Sequence, residues 1–427
     1  MGASPYGSLS SFAGNPLLLS PERLVEDGLL PADALAEVPD FPGDRVEWEE
    51  VRAWKDRLLR GAWKRAAGSA AVQNELDAFR SAPEQRTWLA EWTLFAARRA
   101  TGSVGAGTGD LAGEMSFQEF LQFLFFRQWS ALRSRAERRG ISILGDVPIY
   151  VAPDSADVAT RPDVFALDES GRAAEVAGVP PDFFSEAGQL WGYPLYRWDR
   201  LAEEGFAWWI DRVRAALRLT HAVRLDHFRG FVSYWAVPAG EKTAAGGRWR
   251  SGPGRKLFDA LKSALGDVPL VAEDLGTITP DVRALLEELG LPGMKVLQFA
   301  FFEPDSPYLP HRHTPNAVVY TGTHDNDTAR GWWEGLTEEE RQRVRDYLGT
   351  DGREIEWDLI RAAYASVADR AIVPLQDVFG LGSGARMNTP GRGENNWSWR
   401  AQSEDFRADR ANRLRRLAEL TGRVAKT

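Results

Sequence analysis

Four short apolar runs in this chain end in a carboxylate. Asp146 follows "ILG", Asp226 follows "VRL", Glu273 follows "LVA", and Asp325 closes "YTGTHD". An acid after a buried strand often does no more than form a turn or cap the next helix. Several such ends, each beside other polar residues, point instead to a site built at the carboxyl ends of parallel strands. Two carboxylates flanking an acetal are the equipment for cleaving a glycosidic bond. One protonates the leaving oxygen, and the other attacks the anomeric carbon or activates water.

Local context suggests which acid does which. In "HAVRLD" the period-two alternation puts Arg224 and Asp226 on one strand face. A guanidinium beside a carboxylate favours its ionised form, so Asp226 is the better anionic nucleophile. Glu273 follows the apolar "VPLVA", where desolvation would raise its pKa and keep it protonated, as a general acid requires. Its neighbour Asp274 points to the opposite face if the strand is regular, and Glu273 is preferred for its longer reach. His227 and His324 each adjoin a carboxylate. They either donate to substrate hydroxyls or satisfy those carboxylates structurally. His311 and His313 sit two apart beside Pro310. The plainer reading there is solvent-exposed loop histidines, with a metal pair the alternative.

The elements that must position these groups follow from texture. Residues 20–139 read as helical. "SPERLVEDGL" has Ser20 at an N-cap and Pro21 at the first helical position. "SFQEFLQFLFFRQWSALRSRAERRG" opens with a capping box of Ser116 and Glu119, carries Phe117, Phe120, Leu121 and Leu124 on one face, and stops at Gly140. Beyond Gly140 the pattern becomes strand, loop, helix. Strands are predicted within 141–154, 220–230, 268–277, 294–301 and 316–327, with helices at 254–266 and from about 337. The expected fold class is α/β, a parallel (β/α)8 barrel. A substrate loop at 1–19 opens it, a helical insertion subdomain takes 20–139, and the catalytic barrel takes 140–427.

Composition narrows the class of substrate. The 427-residue chain is 44% hydrophobic and 26% charged, as an ordinary globular protein is, and its net charge of −9 disfavours nucleic acid or an anionic membrane as partner. It has no cysteine, which removes thiolate chemistry and suits a reducing, cytoplasmic compartment. No apolar run is long enough to span a membrane, and "PLLL" is too short for a signal peptide. Seventeen tryptophans are mostly core material, yet indole faces also stack on sugar rings.

These strand ends resemble those of the amylomaltases, the 4-α-glucanotransferases of the α-amylase superfamily. The resemblance runs over essentially the whole chain. It rests most specifically on "SPYGSLSSFAGNP" and "PPDFFSEAGQLWG", with "GDVPIYV", "GMKVLQFAF" and "RMNTPG…NWSWR" in support. It implies a retaining double displacement on maltooligosaccharides, glycogen or starch-derived glucans. Asp226 would be the nucleophile, Glu273 the acid and then the base, and Asp325 the carboxylate that binds sugar hydroxyls and stabilises the transition state. It further implies contacts from Asp146, Arg224, His227 and His324 around the reacting glucose. Asp182, Gln189 and Trp191 would lie on a loop over the cleft, Asn388 on the opposite loop, and Tyr6 along the donor chain. The covalent step needs neither metal nor organic cofactor.

One departure stands out. The family carries a further segment ahead of its "SPY" loop, including two strands, whereas here that loop comes at the front. A barrel lacking its first two strands would have an open edge and an unfilled interior. A mis-set start or a truncated chain is the simpler expectation. Two other readings compete: an α-1,4-glucan hydrolase with the same carboxylates, and an inactive glucan-binding remnant.

Overall fold

The computed structural model describes residues 4–102, 110–181 and 187–424. It divides into two compact units. The N-terminal unit takes Pro5–Asp40 and Trp48–Pro269. The C-terminal unit takes Ser4, Phe41–Glu47 and the chain from Leu270 onward.

The N-terminal unit begins with the "SPYGSLSSFAGNP" loop and a helical layer. Ser20 caps the helix Pro21–Glu26 by accepting from the Arg23 amide, with Pro21 at its first position, as the sequence predicts. Further helices span Trp48–Ala66, Ala70–Ser81, Leu89–Thr101 and Leu111–Glu137. The last starts earlier than the expected box at Ser116. Asp110 is the N-cap and accepts from the Gly113 amide at 2.8 Å, so Ser116 and Glu119 lie inside the helix. Glu119 pairs instead with Arg80 at 2.6 Å. Phe117, Phe120, Leu121 and Leu124 are all buried, packed with Leu59 and Leu76 in one core. Removing any one of the phenylalanine rings would cost about 3–5 kcal/mol in lost transfer energy and cavity.

Six strands follow in this unit: β1 (Leu144–Val147), β2 (Glu175–Val179), β3 (Gln189–Pro194), β4 (Ala222–Leu225), β5 (Ser233–Pro238) and β6 (Arg248–Ser251). β1 and β4 are parallel, with Asp146 opposite Arg224 and Val147 opposite Leu225. The other strands form an antiparallel sheet, β3-β2-β5-β6, that the βα pattern did not foresee. It is held partly by a cross-strand pair, Trp235 opposite Trp249, whose rings meet edge to face at 5.1 Å. Tertiary pairing overrides weak local signals here: Gly178 lies so close to the Gln189 carbonyl that a Cβ would come within 2.6 Å of it.

The C-terminal unit carries β7 (Leu270–Ala272), β8 (Gly293–Val296), β9 (Ala317–Tyr320) and β10 (Arg370–Ile372). β8, β9 and β10 form a parallel sheet with β9 in the centre. All four residues of β9 are buried, as a strand covered on both faces must be. "MKVLQFAF" does not stay extended through residue 301. The strand ends at Val296 and a 3-10 turn takes Leu297–Phe299, because Leu297 and Ala300 both drop into the core. The three-residue β10 was too short to be seen as a period.

Candidate active site

The N-terminal unit assembles a charged cluster at the ends of β1 and β4. Parallel neighbours in register project to the same side, so Asp146 and Arg224 stand next to each other. Arg224 and Asp226, two apart, share that face, although Asp226 lies just past the strand end. Arg224 is buried. Its Nη1 donates to both oxygens of Asp146, at 2.8 and 2.6 Å, and its Nη2 lies 3.0 Å from Asp226 Oδ1. One fixed cation therefore lies between two carboxylates. It attracts both and offsets their mutual repulsion.

Tyr6 completes the cluster. Its hydroxyl donates to Asp146 Oδ2 at 2.7 Å and accepts from Arg224 Nη1 at 3.3 Å. Burial and the negative charges of Asp146 and Asp226 push the phenol far above its ordinary value, so it remains a donor. The loop bearing it is tightly held. The Ser11 amide donates to Asp157 at 2.9 Å, Gly14 exchanges two hydrogen bonds with the buried Gln122, and Phe12 packs edge-on to Trp208.

His227 follows the nucleophile candidate with φ at 48°, a left-handed backbone that turns the chain sharply. Trp191 on β3 meets its ring edge to face at 4.8 Å, and Gln189 accepts from the Trp191 indole at 3.2 Å. Desolvation, helped by the nearby charge of Arg229, pulls His227 down to about 4, so it is neutral at physiological pH. Thus Tyr6, Asp146, Gln189, Trp191, Arg224, Asp226 and His227 lie in this unit. Asp182 falls outside the described residues.

The C-terminal unit presents Glu273, His324, Asp325 and Asn388. Glu273 and Asp274 lie beyond the end of β7, where alternation no longer applies. Asp274 is drawn into the structure. Its Oδ1 accepts from the Met294 amide of β8 at 2.6 Å, and burial raises its pKa despite Lys295 nearby. Glu273 is only half-buried, and its Oε1 accepts from the Leu275 amide at 2.9 Å. The hydroxyl of Tyr308 is pushed up by burial and by both acids.

Asp325 is positioned differently. Asn388 donates to its Oδ1 at 2.5 Å, and Arg386 donates to its backbone carbonyl at 2.6 Å. His324 Nε2 lies 3.4 Å from Asp325 Oδ2, and the His324 carbonyl accepts from the Asn388 amide at 3.0 Å. The His324 ring sits 5.2 Å from Trp397. Trp397 and Asn395 both have φ of 60°, a strained conformation for such residues, which is affordable only in an over-determined loop. Arg386 and Trp397 were not picked out from sequence. The signal available was the "RMNTPG…NWSWR" stretch as a whole, which does not say which atoms turn inward.

The remaining histidines serve packing. His313 is buried and holds Ser366 and the Tyr308 carbonyl at 2.7 and 2.9 Å, which corrects the expectation of exposure; His311 pairs with the Tyr347 hydroxyl at 2.9 Å. Among the described residues no group of three or more His, Asp or Glu is arranged to hold a metal ion, and no helix is long and apolar enough to cross a membrane.

Comparison with known proteins identifies the family. A family model described as 4-alpha-glucanotransferase, glycoside hydrolase family 77, matches residues 1–105 and 98–405. A 4-alpha-glucanotransferase of Synechocystis is 48% identical, over 99% of this chain and 88% of its own length. One from Thermus thermophilus is 46% identical, over 99% and 89%. The structure of the amylomaltase from Streptococcus agalactiae in complex with acarbose is similar with a TM-score of 0.92 at 33% identity, over 98% of this chain and 89% of that one. The amylomaltase of Corynebacterium glutamicum, 22% identical with a TM-score of 0.80, shares the fold. The α/β fold class is that of these enzymes, the (β/α)8 barrel type, and the chain belongs to the 4-alpha-glucanotransferase family.

Proposed function

We propose that the protein transfers α-1,4-glucan segments between maltooligosaccharides by a retaining double displacement, with Asp226 as nucleophile, Glu273 as acid and base, and Asp325 as the stabilising carboxylate. In the first step an oxygen of Asp226 attacks the anomeric carbon. The bond to the leaving 4-oxygen breaks, and that oxygen takes the proton of Glu273. The product is a β-glucosyl ester on Asp226. In the second step the 4-hydroxyl of an acceptor sugar attacks the same carbon, gives its proton to Glu273, and Asp226 leaves as carboxylate. Asp325 binds sugar hydroxyls and stabilises the oxocarbenium-like charge in both steps.

The observation that carries this reading is the Arg224 bridge. A nucleophile must be held and aimed, and Arg224 Nη2 lies 3.0 Å from Asp226 while Asp146 and Tyr6 hold the guanidinium, which supports that role. His227, neutral, can present one ring N–H or lone pair to a hydroxyl without adding charge. Trp191 offers a ring to a sugar face. The complex of the Streptococcus agalactiae relative with acarbose supports an oligosaccharide ligand of this class. The cysteine-free composition supports a reducing compartment, which we read as cytoplasmic.

Incubation with maltotriose tests the proposal. Transfer yields glucose and a ladder of chains longer than the substrate. A steady rise of reducing ends with no product longer than maltotriose would instead establish a hydrolase. Binding of maltotriose with no turnover at all would establish a glucan-binding remnant.

A further inference from the structure

The loop that carries His324 and Asp325 runs from Thr321, at the end of β9, to Ala329, at the start of the helix Ala329–Gly335. Its two ends are tied to the same side chain. The Thr321 hydroxyl donates to Asp377 Oδ2 at 2.5 Å, and the Ala329 amide donates to Asp377 Oδ1 at 2.7 Å. Asp377 sits on the short helix Leu375–Phe379 and is 1% exposed; Thr321 and Ala329 are fully buried. No water competes at such a site, so each bond is strong and a lost partner is costly.

The chain leaving that short helix goes on to brace the rest of the loop. Ser383 donates to Asp327 at 2.8 Å, Arg386 to the Asp325 carbonyl, and Asn388 to the Asp325 carboxylate. Gln298 adds a donor to the Asp327 carbonyl at 2.8 Å. One segment, 377–388, thus frames one loop: its start sets the loop's span, and its end touches the acid.

Resting on the proposed role of Asp325, we propose that Asp377 is a positioning residue for transfer, whose carboxylate fixes the distance between Thr321 and Ala329 and thereby the placement of Asp325. Displacements of about 1 Å in a catalytic group can cost about a hundredfold in rate. The charged groups facing Asp377 are Glu356, on the helix Ile355–Ala365 and paired with Arg330 at 2.8 Å, and Asp327 in the loop itself. Burial together with these acids pushes Asp377 up to about 6. Acidification through that value protonates the clamp.

The test is kinetic. Rates of glucose release from maltotriose are measured for D377N, T321V, T321S, D325N and the double variant D377N/D325N, each with its melting temperature. D377N should lower kcat by tenfold to a hundredfold with KM changed less than threefold. T321V, which removes one tie and keeps the volume, should lower kcat about tenfold, and T321S should restore it to within threefold. The double variant should be no slower than D325N alone, because both changes remove the same function. In the wild type, kcat should fall as pH drops through about 6 while its melting temperature rises relative to D377N. Rate and stability moving in opposite directions is not what a merely structural residue produces.

Folded D377N and T321V proteins with wild-type kcat, or an additive double variant, would overturn the proposal while leaving Asp325 in its role. Wild-type turnover by D325N would remove that role and the proposal with it. If D377N does not fold, the contrast between T321V and T321S decides.

Discussion

The two carboxylates proposed to carry and surround the covalent step, Asp226 and Asp325, are held in place by opposite means. Asp226 stands at a strand end against a buried guanidinium, and its partners are charged or strongly polarised: Arg224, with Asp146 and Tyr6 behind it. Asp325 stands in a loop, where a neutral amide, Asn388, donates to its carboxylate and His324 lies beside it. Arg386 donates to its backbone carbonyl and so helps fix the course of the chain. The difference matches the tasks. A nucleophile must be anionic before the sugar arrives, so a permanent cation is built beside it.

That contrast can be broken in measurable ways. The largest effect is expected from D226N, which removes the proposed nucleophile; turnover of maltotriose should fall by about four orders of magnitude, with folding intact by circular dichroism. Next comes R224M. Without the guanidinium, Asp146 and Asp226 repel and lose their shared donor, and kcat should fall about a thousandfold. R224K should rescue only weakly, because one ammonium cannot reproduce a fork directed at two carboxylates. On the other side N388A removes one neutral donor to Asp325, so a loss of about tenfold to a hundredfold in kcat is expected. If R224M and N388A instead lowered kcat equally, the distinction between the two halves would fail.

The smallest effects sharpen it. Y6F should cost about tenfold in kcat/KM, the worth of one hydrogen bond to a charged group. His227 offers a readout of stability. Its pKa is about 4 in the folded protein against an ordinary value near 6.5. Between those values the unfolded chain takes up a proton that the folded chain does not. The wild type should therefore lose stability relative to H227N as pH falls from about 6.5 towards 4, seen in melting curves. Asp377, in the other unit, works in the reverse sense: its raised pKa makes the folded state gain stability on acidification through about 6. Melting curves of H227N and D377N against pH should diverge from the wild type in opposite directions.

Much of the chemistry was legible because it follows short-range rules. The period of two linked Arg224 to Asp226, and apolar runs marked the strand ends at Asp146, Glu273 and Asp325. The helix cap at Ser20 was readable for the same reason, whereas the box at Ser116 and Glu119 mimicked a helix start that Asp110 makes a turn and a half earlier. The choice of Glu273 over Asp274 could not be made from alternation, since both lie past the strand. What separates them is that the β8 backbone claims Asp274.

The sequence by itself determined the class of element, the nature of the acids and, through its resemblances, the family. Those properties reside in side-chain type and in spacings of two to four residues. Tertiary structure alone decided the partners. Tyr6 reaches Asp146 across 140 residues, Asn388 reaches Asp325 across 63, and Asp377 reaches Thr321 across 56. Such pairings depend on strand register and on which buried donors and acceptors remain to be satisfied once the chain has folded, and neither quantity exists before the backbone closes.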